Sequence, residues 1–277
     1  MVTADDFGAA PEVNEAVELA HASGVLSAAS LMVGGAAAND AVSRAKRFPS
    51  LRVGLHLVLV EGRPLLAPSR VPDLVGANGR FRTDMAALGA AIWLRADVRS
   101  QVAAEIAAQF EAFAATGLAL DHVNAHKHFH LHPTIASMLM QIGPRFGMRA
   151  VRAPVEPRKL LASVEPASPP PLDLLARTWA GVLKKRLRRK GYTVADQVFG
   201  NGWSGAMTAE RMTALVSDLP EGVTEIYTHP ATRGGFDGAA AGYRYADELI
   251  ALRSSAVAEA LYASGATTGG YLDARSR

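Results

Sequence analysis

The chain contains no cysteine. Disulfide stapling and thiol catalysis are therefore excluded, and a reducing, cytoplasmic compartment suits the composition. Long hydrophobic runs are also missing. The longest, VGLHLVLV at 53–60 and MAALGAAIWL at 85–94, stop well short of the ~20 residues that span a bilayer. No signal-peptide pattern precedes the first motif, so a cytoplasmic location is expected, with the first strand looking clipped. No internal repeat is evident, and neither a nucleic-acid-binding module nor basic residues interleaved with aromatics is found. What is present is a 277-residue chain with 49% apolar content, enough to bury one large core as a single domain spanning 1–277.

Histidine is concentrated in one place. HVNAHKHFHLHP, residues 122–133, carries five of the eight histidines within eleven residues. If extended, His126, His128, His130 and His132 alternate with Ala125, Lys127, Phe129 and Leu131 and project to one side. One helical turn would instead pair His126 with His130 and His128 with His132. Either geometry offers neutral imidazoles to a divalent ion. A solvated loop is the plain alternative; the interruptions and mid-chain position separate the run from an affinity tag.

Two further signals accompany it. MVTADDFG runs a short apolar stretch into adjacent carboxylates, Asp5 and Asp6, which could equally form an Asx turn after a strand. LRVGLHLVL at 51–59 is a β-rich apolar run broken by His56, a residue that in such a setting is more often a satisfied core histidine. One aspartate plus two histidines would leave open positions on a metal for water and substrate, as catalytic sites require.

Alternating elements predict repeated βα units. Helices are expected at 11–23, with Pro11 at its start and Gly24 as its stop, at 39–48, at 97–116, from Pro133 with Pro144 shortening it, and at 248–263. Strands are expected at 27–33, 52–60, 120–125, 149–152 and 224–227, with a short final strand at GGYLD. Such an order implies a parallel sheet whose candidate residues gather at strand ends, where barrels place active sites.

Residues 156–205 break the alternation as an insertion. EPRKLLASVEPASPPPLD reads as a proline-rich extended loop. LLARTWAGVLKKRLRRKGY then reads as an amphipathic helix with Leu174, Leu175, Trp179, Val182, Leu183 and Leu187 for its apolar face. Six basic residues fall from Lys184 through Lys190; the formal net charge is +3, and without them it would be −3. Docking on an anionic membrane surface and packing with a solvated basic end are both open. In GNGWSGAMT, the three glycines around Trp203 point to an exposed ring that stacks on the sugar of the substrate; a buried one would merely plug the barrel mouth.

TADDFG at 3–8, GLHLVL at 54–59, HVNAHKHFH at 122–130 and THPA at 228–231, in this order and at this wide spacing, resemble the YdjC-like carbohydrate deacetylases. VNEAVELAH, SAASLMVGGAAA, GLHLVLVEGRP and NAHKHFHLHP resemble more closely the hopanoid-biosynthesis-associated branch, HpnK. The resemblance implies an α/β fold, an irregular (β/α) barrel of the polysaccharide-deacetylase-like type with its active site at the C-terminal strand ends. It makes Asp6, His56 and His126 the ligands of one divalent metal ion, Asp5 the base, His229 the general acid and Arg152 the residue that orients the catalytic carboxylate. His128 and His130 would line the substrate groove or back the ligands. The family often has aspartate where Asn124 stands.

The implied activity is hydrolytic removal of acetate from an N-acetylglucosaminyl group, on a hopanoid glycolipid. Deacetylation of soluble chitooligosaccharides by the same residues, or metal and sugar binding without catalysis, are the alternatives. Asp–His–His ligation suits Zn2+ and other transition ions, whereas the family is often described with Mg2+. The expected partners are an N-acetylated sugar or glycolipid and, peripherally, the inner membrane, with a homodimer left open and no nucleic acid.

Overall fold

In the computed structural model, which describes residues 1–165 and 173–276, six strands form one parallel sheet. They are β1 Val2–Phe7, β2 Ala28–Leu31, β3 Arg52–Leu57, β4 Leu120–Ala125, β5 Gln197–Phe199 and β6 Thr224–Thr228, in the order β4-β3-β2-β1-β6-β5. Parallel bridges Val123–Val151 and Ala150–Thr193, and the bond from Val198 N–H to Val155 O, carry the β4 edge round toward β5. The result is a parallel-stranded α/β fold curved toward an irregular barrel.

Helices cover the outer face. Alternation within the strands sends Val2, Ala4, Ala29, Leu31, Val53, Leu55, Val123 and Ile226 into the hydrophobic core. Helix α1, Pro11–Ser23, buries Val13, Ala16, Val17 and Ala20 there. Its stop at Gly24 has a steric reason, since a Cβ would sit 2.3 Å from the Leu252 carbonyl oxygen. The opposite residues of the same strands are polar and buried: Thr3, Asp5, Ser30, His56, His122, Asn124 and Glu225. A (β/α) barrel interior is usually filled with branched apolar side chains. This one is filled with a hydrogen-bonded polar set.

Helices α2, Ala38–Arg47, and α5, Pro133–Ile142, lie where the sequence places them, with 3-10 geometry taking over at Pro144. The helix over 97–116 is α4, Ala96–Ala115. Other expectations are corrected. An unanticipated helix, α3, covers Met85–Leu94. Residues 149–152 make isolated bridges rather than a strand, and GGYLD is a turn into 3-10 structure. Residues 158–164 of the expected proline-rich loop are helix α6, Arg158–Val164, and its remainder, 166–172, lies outside the described residues.

Helix α7, Asp173–Arg189, is the amphipathic basic helix, with Leu183 and Leu187 buried and Trp179 and Val182 exposed. The side chains of Leu174 and Leu175 lie outside the described residues. After α8, Ala209–Ser217, the single helix expected at 248–263 is two, α9 Tyr245–Leu252 and α10 Ser255–Ala263.

Candidate metal and catalytic site

The two adjacent carboxylates serve one site because β1 is irregular. In a regular strand Asp5 and Asp6 would face opposite sides. Between Ala4 and Phe7 the β1–β2 register slips by one residue, and Asp6 takes a left-handed φ of 61°. Asp residues tolerate that region better than most, and the bulge turns both carboxylates into the same cleft.

His56, at the end of β3, and His126, immediately after β4, close on Asp6. His126 Nδ1 and His56 Nε2 each lie 3.3 Å from Asp6 Oδ1. The donor atoms of the three residues fall within 4.8 Å of one another. Among the described residues His56 Nε2 is buried with no hydrogen-bond partner, and one carboxylate with two imidazoles is a donor set of the kind that holds a divalent transition ion. The residues therefore fit the group. Burial alone would push the Asp6 carboxyl up, but its contacts with His126 and His56 hold it well below its ordinary value. Burial likewise pulls the His126 imidazole down, and Asp6 outweighs it and raises it.

Asp5 lies beside this triad and is 2% exposed. Arg152 grips it with two hydrogen bonds, Nη1 to Oδ2 at 2.5 Å and Nη2 to Oδ1 at 2.9 Å. The rest of the guanidinium goes to Glu225, from Nε at 3.0 Å and Nη2 at 2.8 Å, and its plane lies 4.5 Å from the centre of the Tyr227 ring. Burial penalises the Asp5 charge, yet Arg152, with smaller help from His56 and His229, holds its pKa well below the usual carboxylate range.

The histidine run is neither extended nor one helical turn. It folds as a 3-10 segment, His126–Leu131, in which Lys127 and His128 adopt left-handed φ of 51° and 53°. The imidazoles therefore separate instead of sharing a face. His126 meets Asp6, and His128 Nε2 lies 3.0 Å from the Tyr227 hydroxyl. His130 is fully buried, its Nε2–H donating to the Arg152 carbonyl at 2.8 Å, with burial lowering its pKa to about 4. It does not line the cleft. His132 caps α5, Nδ1 accepting from Thr134 N–H, while Nε2 donates to the Gly89 carbonyl at 3.1 Å.

A cleft of about 620 Å³ opens above these groups, with Asp5, Asp6, His56, His126, His128 and His229 in its wall. His229 follows β6; its backbone N–H donates to Glu248, and its ring lies 5.1 Å from that of Tyr243. Among the described residues its Nδ1 has no partner. Trp203 corrects an expectation: it is 5% exposed, lies under the Arg211 guanidinium and is absent from the cleft wall, so it packs and does not stack on a ligand. The polar and aromatic groups that do line the cleft wall include Asn78, Lys127 and Tyr243.

Three contributors escaped the sequence reading. Glu225 is the second carboxylate on Arg152, signalled only by an acidic residue inside the apolar strand TEIYT. Tyr227 and Ser30 contact His128 and Asn124 and carry no spacing signal at all.

The family model described as YdjC-like protein matches residues 1–263. A carbohydrate deacetylase of Geobacillus stearothermophilus is 31% identical over 233 residues, covering 83% of this chain and 78% of that protein. One of Brevibacillus brevis is 32% identical over 232 residues, covering 83% and 80%. A crystal structure from Enterococcus faecalis V583, named for cellobiose-phosphate cleavage, superposes with a TM-score of 0.75 at 21% identity, covering 99% of this chain and 97% of that one, and shows the shared fold.

Proposed function

This chain belongs to the YdjC-like protein family, and from that premise we propose that it is a metal-dependent carbohydrate N-deacetylase, a hydrolase that releases acetate from an N-acetylglucosaminyl group. One observation carries the reading: the Asp6–His56–His126 donor triad, the Arg152-gripped Asp5 and His229 share the wall of one cleft. A binding protein would need the triad but neither Asp5 nor His229.

The reaction adds water across the amide, giving acetate and a free sugar amine. A divalent ion on Asp6, His56 and His126 would polarise the acetyl carbonyl and acidify water. Asp5 takes a proton from the attacking water. Its depressed pKa makes it a weak base that is always charged, so its contribution lies in fixed aim and in proximity. His229 gives a proton to the departing nitrogen, which cannot leave as an amide anion. Two imidazoles favour Zn2+ or a similar ion over Mg2+, which prefers oxygen donors.

The sugar is carried on a hopanoid-type lipid, reached at the cytoplasmic face of the inner membrane. The HpnK-like motifs motivate this, and two surfaces support it. Helix α3 exposes only apolar residues, Ala86, Ala87, Ala90, Trp93 and Leu94, and starts two residues after Thr83 of the cleft wall. Helix α7 exposes Trp179 and Val182 along with Lys185, Arg186 and Arg189, and Lys190 follows its last residue. Part of the basic cluster is engaged internally, with Lys184 on the Asp196 carbonyl and Arg188 on the Asp196 carboxylate at 2.5 Å. Among the described residues no helix is long and apolar enough to cross a membrane, so contact would be peripheral.

Acetate release from an N-acetylglucosaminyl hopanoid in anionic vesicles and from N,N′-diacetylchitobiose tests both levels. Release from the lipid, lost together with vesicle co-sedimentation in a Trp93→Ser, Leu94→Ser variant, supports the whole reading. Release from the disaccharide alone, or a self-associating α3 face, removes the lipid assignment and keeps the chemistry.

A further inference from the structure

A continuous chain of buried hydrogen bonds runs beneath the triad, and its directions are fixed by chemistry. Asp5 is an ionised carboxylate and can only accept, so the Asn124 group 3.1 Å from its Oδ1 must be Nδ2. The second Nδ2 hydrogen goes to Ser30 Oγ at 2.8 Å. Asn124 Oδ1 therefore faces His56 Nδ1, at 2.7 Å, and Nδ1 must carry the proton. That leaves Nε2, buried and without a hydrogen-bond partner among the described residues, as the His56 nitrogen turned toward Asp6, 3.3 Å from its Oδ1.

The chain continues away from the cleft. Ser30 accepts from Asn124, so its one proton goes to His122 Nε2 at 3.0 Å, and His122 Nδ1–H donates to Asp121 Oδ2 at 2.9 Å. Asp121 is fixed in turn by the backbone N–H groups of Tyr271 and Leu272, at 3.0 and 3.1 Å. Ser30, His122 and Asn124 are fully buried. Ser30, His122 and Asp121 have the order of a hydrolase triad, but Ser30 and His122 are sealed from solvent, so they do not act as one. Gly54, the neighbour of Ser30 on β3, makes room for them: a Cβ there would lie 2.6 Å from the His122 ring.

We propose that Asn124 is a positioning residue, set by Ser30, His122 and Asp121, that locks His56 in the Nδ1–H tautomer a metal ligand needs and steadies Asp5 at the same time. Aspartate at position 124 could accept from His56 but could not donate to Asp5, so the amide is what lets one side chain serve both. The inference rests on the metal-site reading for its consequence, though not for its geometry.

Long-range 15N–1H NMR of metal-free protein labelled in histidine reads the tautomers directly at neutral pH. In both His56 and His122, Nδ1 is expected to carry a proton; a ring bearing its proton on Nε2 with Nδ1 bare, in either residue, overturns the proposal without any variant having to fold. Calorimetric zinc titration gives the consequence. Asn124→Leu should weaken binding 10- to 100-fold, the usual cost of losing such a partner. Ser30→Ala should weaken it measurably although Ser30 touches no ligand, and should add nothing in the Asn124→Leu background. Full additivity, or unchanged affinity in folded Asn124→Leu, contradicts the chain. Failure of the unaltered protein to bind zinc, cobalt or magnesium would instead sink the metal reading while the NMR result still judges the hydrogen-bond order.

Discussion

Arg152 and Asp5 face each other through two parallel hydrogen bonds, 2.5 and 2.9 Å long, at the buried end of the cleft. A bidentate pair fixes orientation as well as charge. Its other arm on Glu225 ties Asp5 to β6, the strand that leads into His229. The position of Asp5 relative to β6 is thus set by buried ion pairs and not by loops.

Replacing Asp5 by Asn keeps the shape and removes the charge. Acetate release should fall by about 10²–10⁴-fold in kcat, the range for losing a positioned base, while zinc binding survives. Steady-state kinetics beside zinc titration checks this; retained turnover would return Asp5 to a structural role.

Arg152→Met leaves two buried carboxylates facing each other without their cation. Breaking a buried pair from one side costs about 3–5 kcal/mol, and urea unfolding should register a loss of that order. A variant as stable as the parent would mean that the pair is not what organises the floor.

Acid should destabilise the protein, and the sign follows from the shifts. Asp5 is held down by Arg152 against its burial, Glu225 by the same guanidinium, and Asp121 by His122 and backbone N–H groups. Groups with depressed folded pKa contribute fully above their unfolded values, near ~4, and lose that contribution as pH falls through the folded ones. Buried Glu248 and Glu105 are shifted up by desolvation and act with the opposite sign. Because Asp5 is held well below the usual carboxylate range, denaturant unfolding of chelator-stripped protein should show stability dropping from about pH 5 and still dropping at about pH 3. A flat profile would contradict the ion-pair account.

His229→Ala tests proton donation separately from binding. Turnover of the acetamido sugar should fall about 10²-fold or more. An acetyl ester with a phenolate leaving group, which departs without a proton, should be nearly spared. Equal loss on both substrates would assign His229 to substrate placement.

The part of this architecture legible in the sequence was the part written in spacing. Pro11 and Gly24 bracket α1, and the run from Val98 to Phe113 marks α4, because helical periodicity is local. The residues of the candidate site could be singled out by type and position. Their geometry could not: Lys127 and His128 in left-handed φ scatter the histidines that simple periodicities would have aligned. The buried polar face escaped notice because Ser30 and Glu225 look like strand noise until neighbouring strands pair them with His122, Asn124 and Arg152. Trp203, exposed by its glycine-rich context, is buried because Arg211 and α8 cover it from elsewhere in the chain.

The most direct test of the central claim is acetate release from an N-acetylglucosamine-terminated substrate by chelator-stripped protein, before and after one equivalent of zinc, in the parent and in His126→Ala. Release restored by zinc in the parent, and abolished in the variant, is the predicted result. Undiminished release from the stripped protein, or full activity in His126→Ala, would contradict a metal centre on Asp6, His56 and His126.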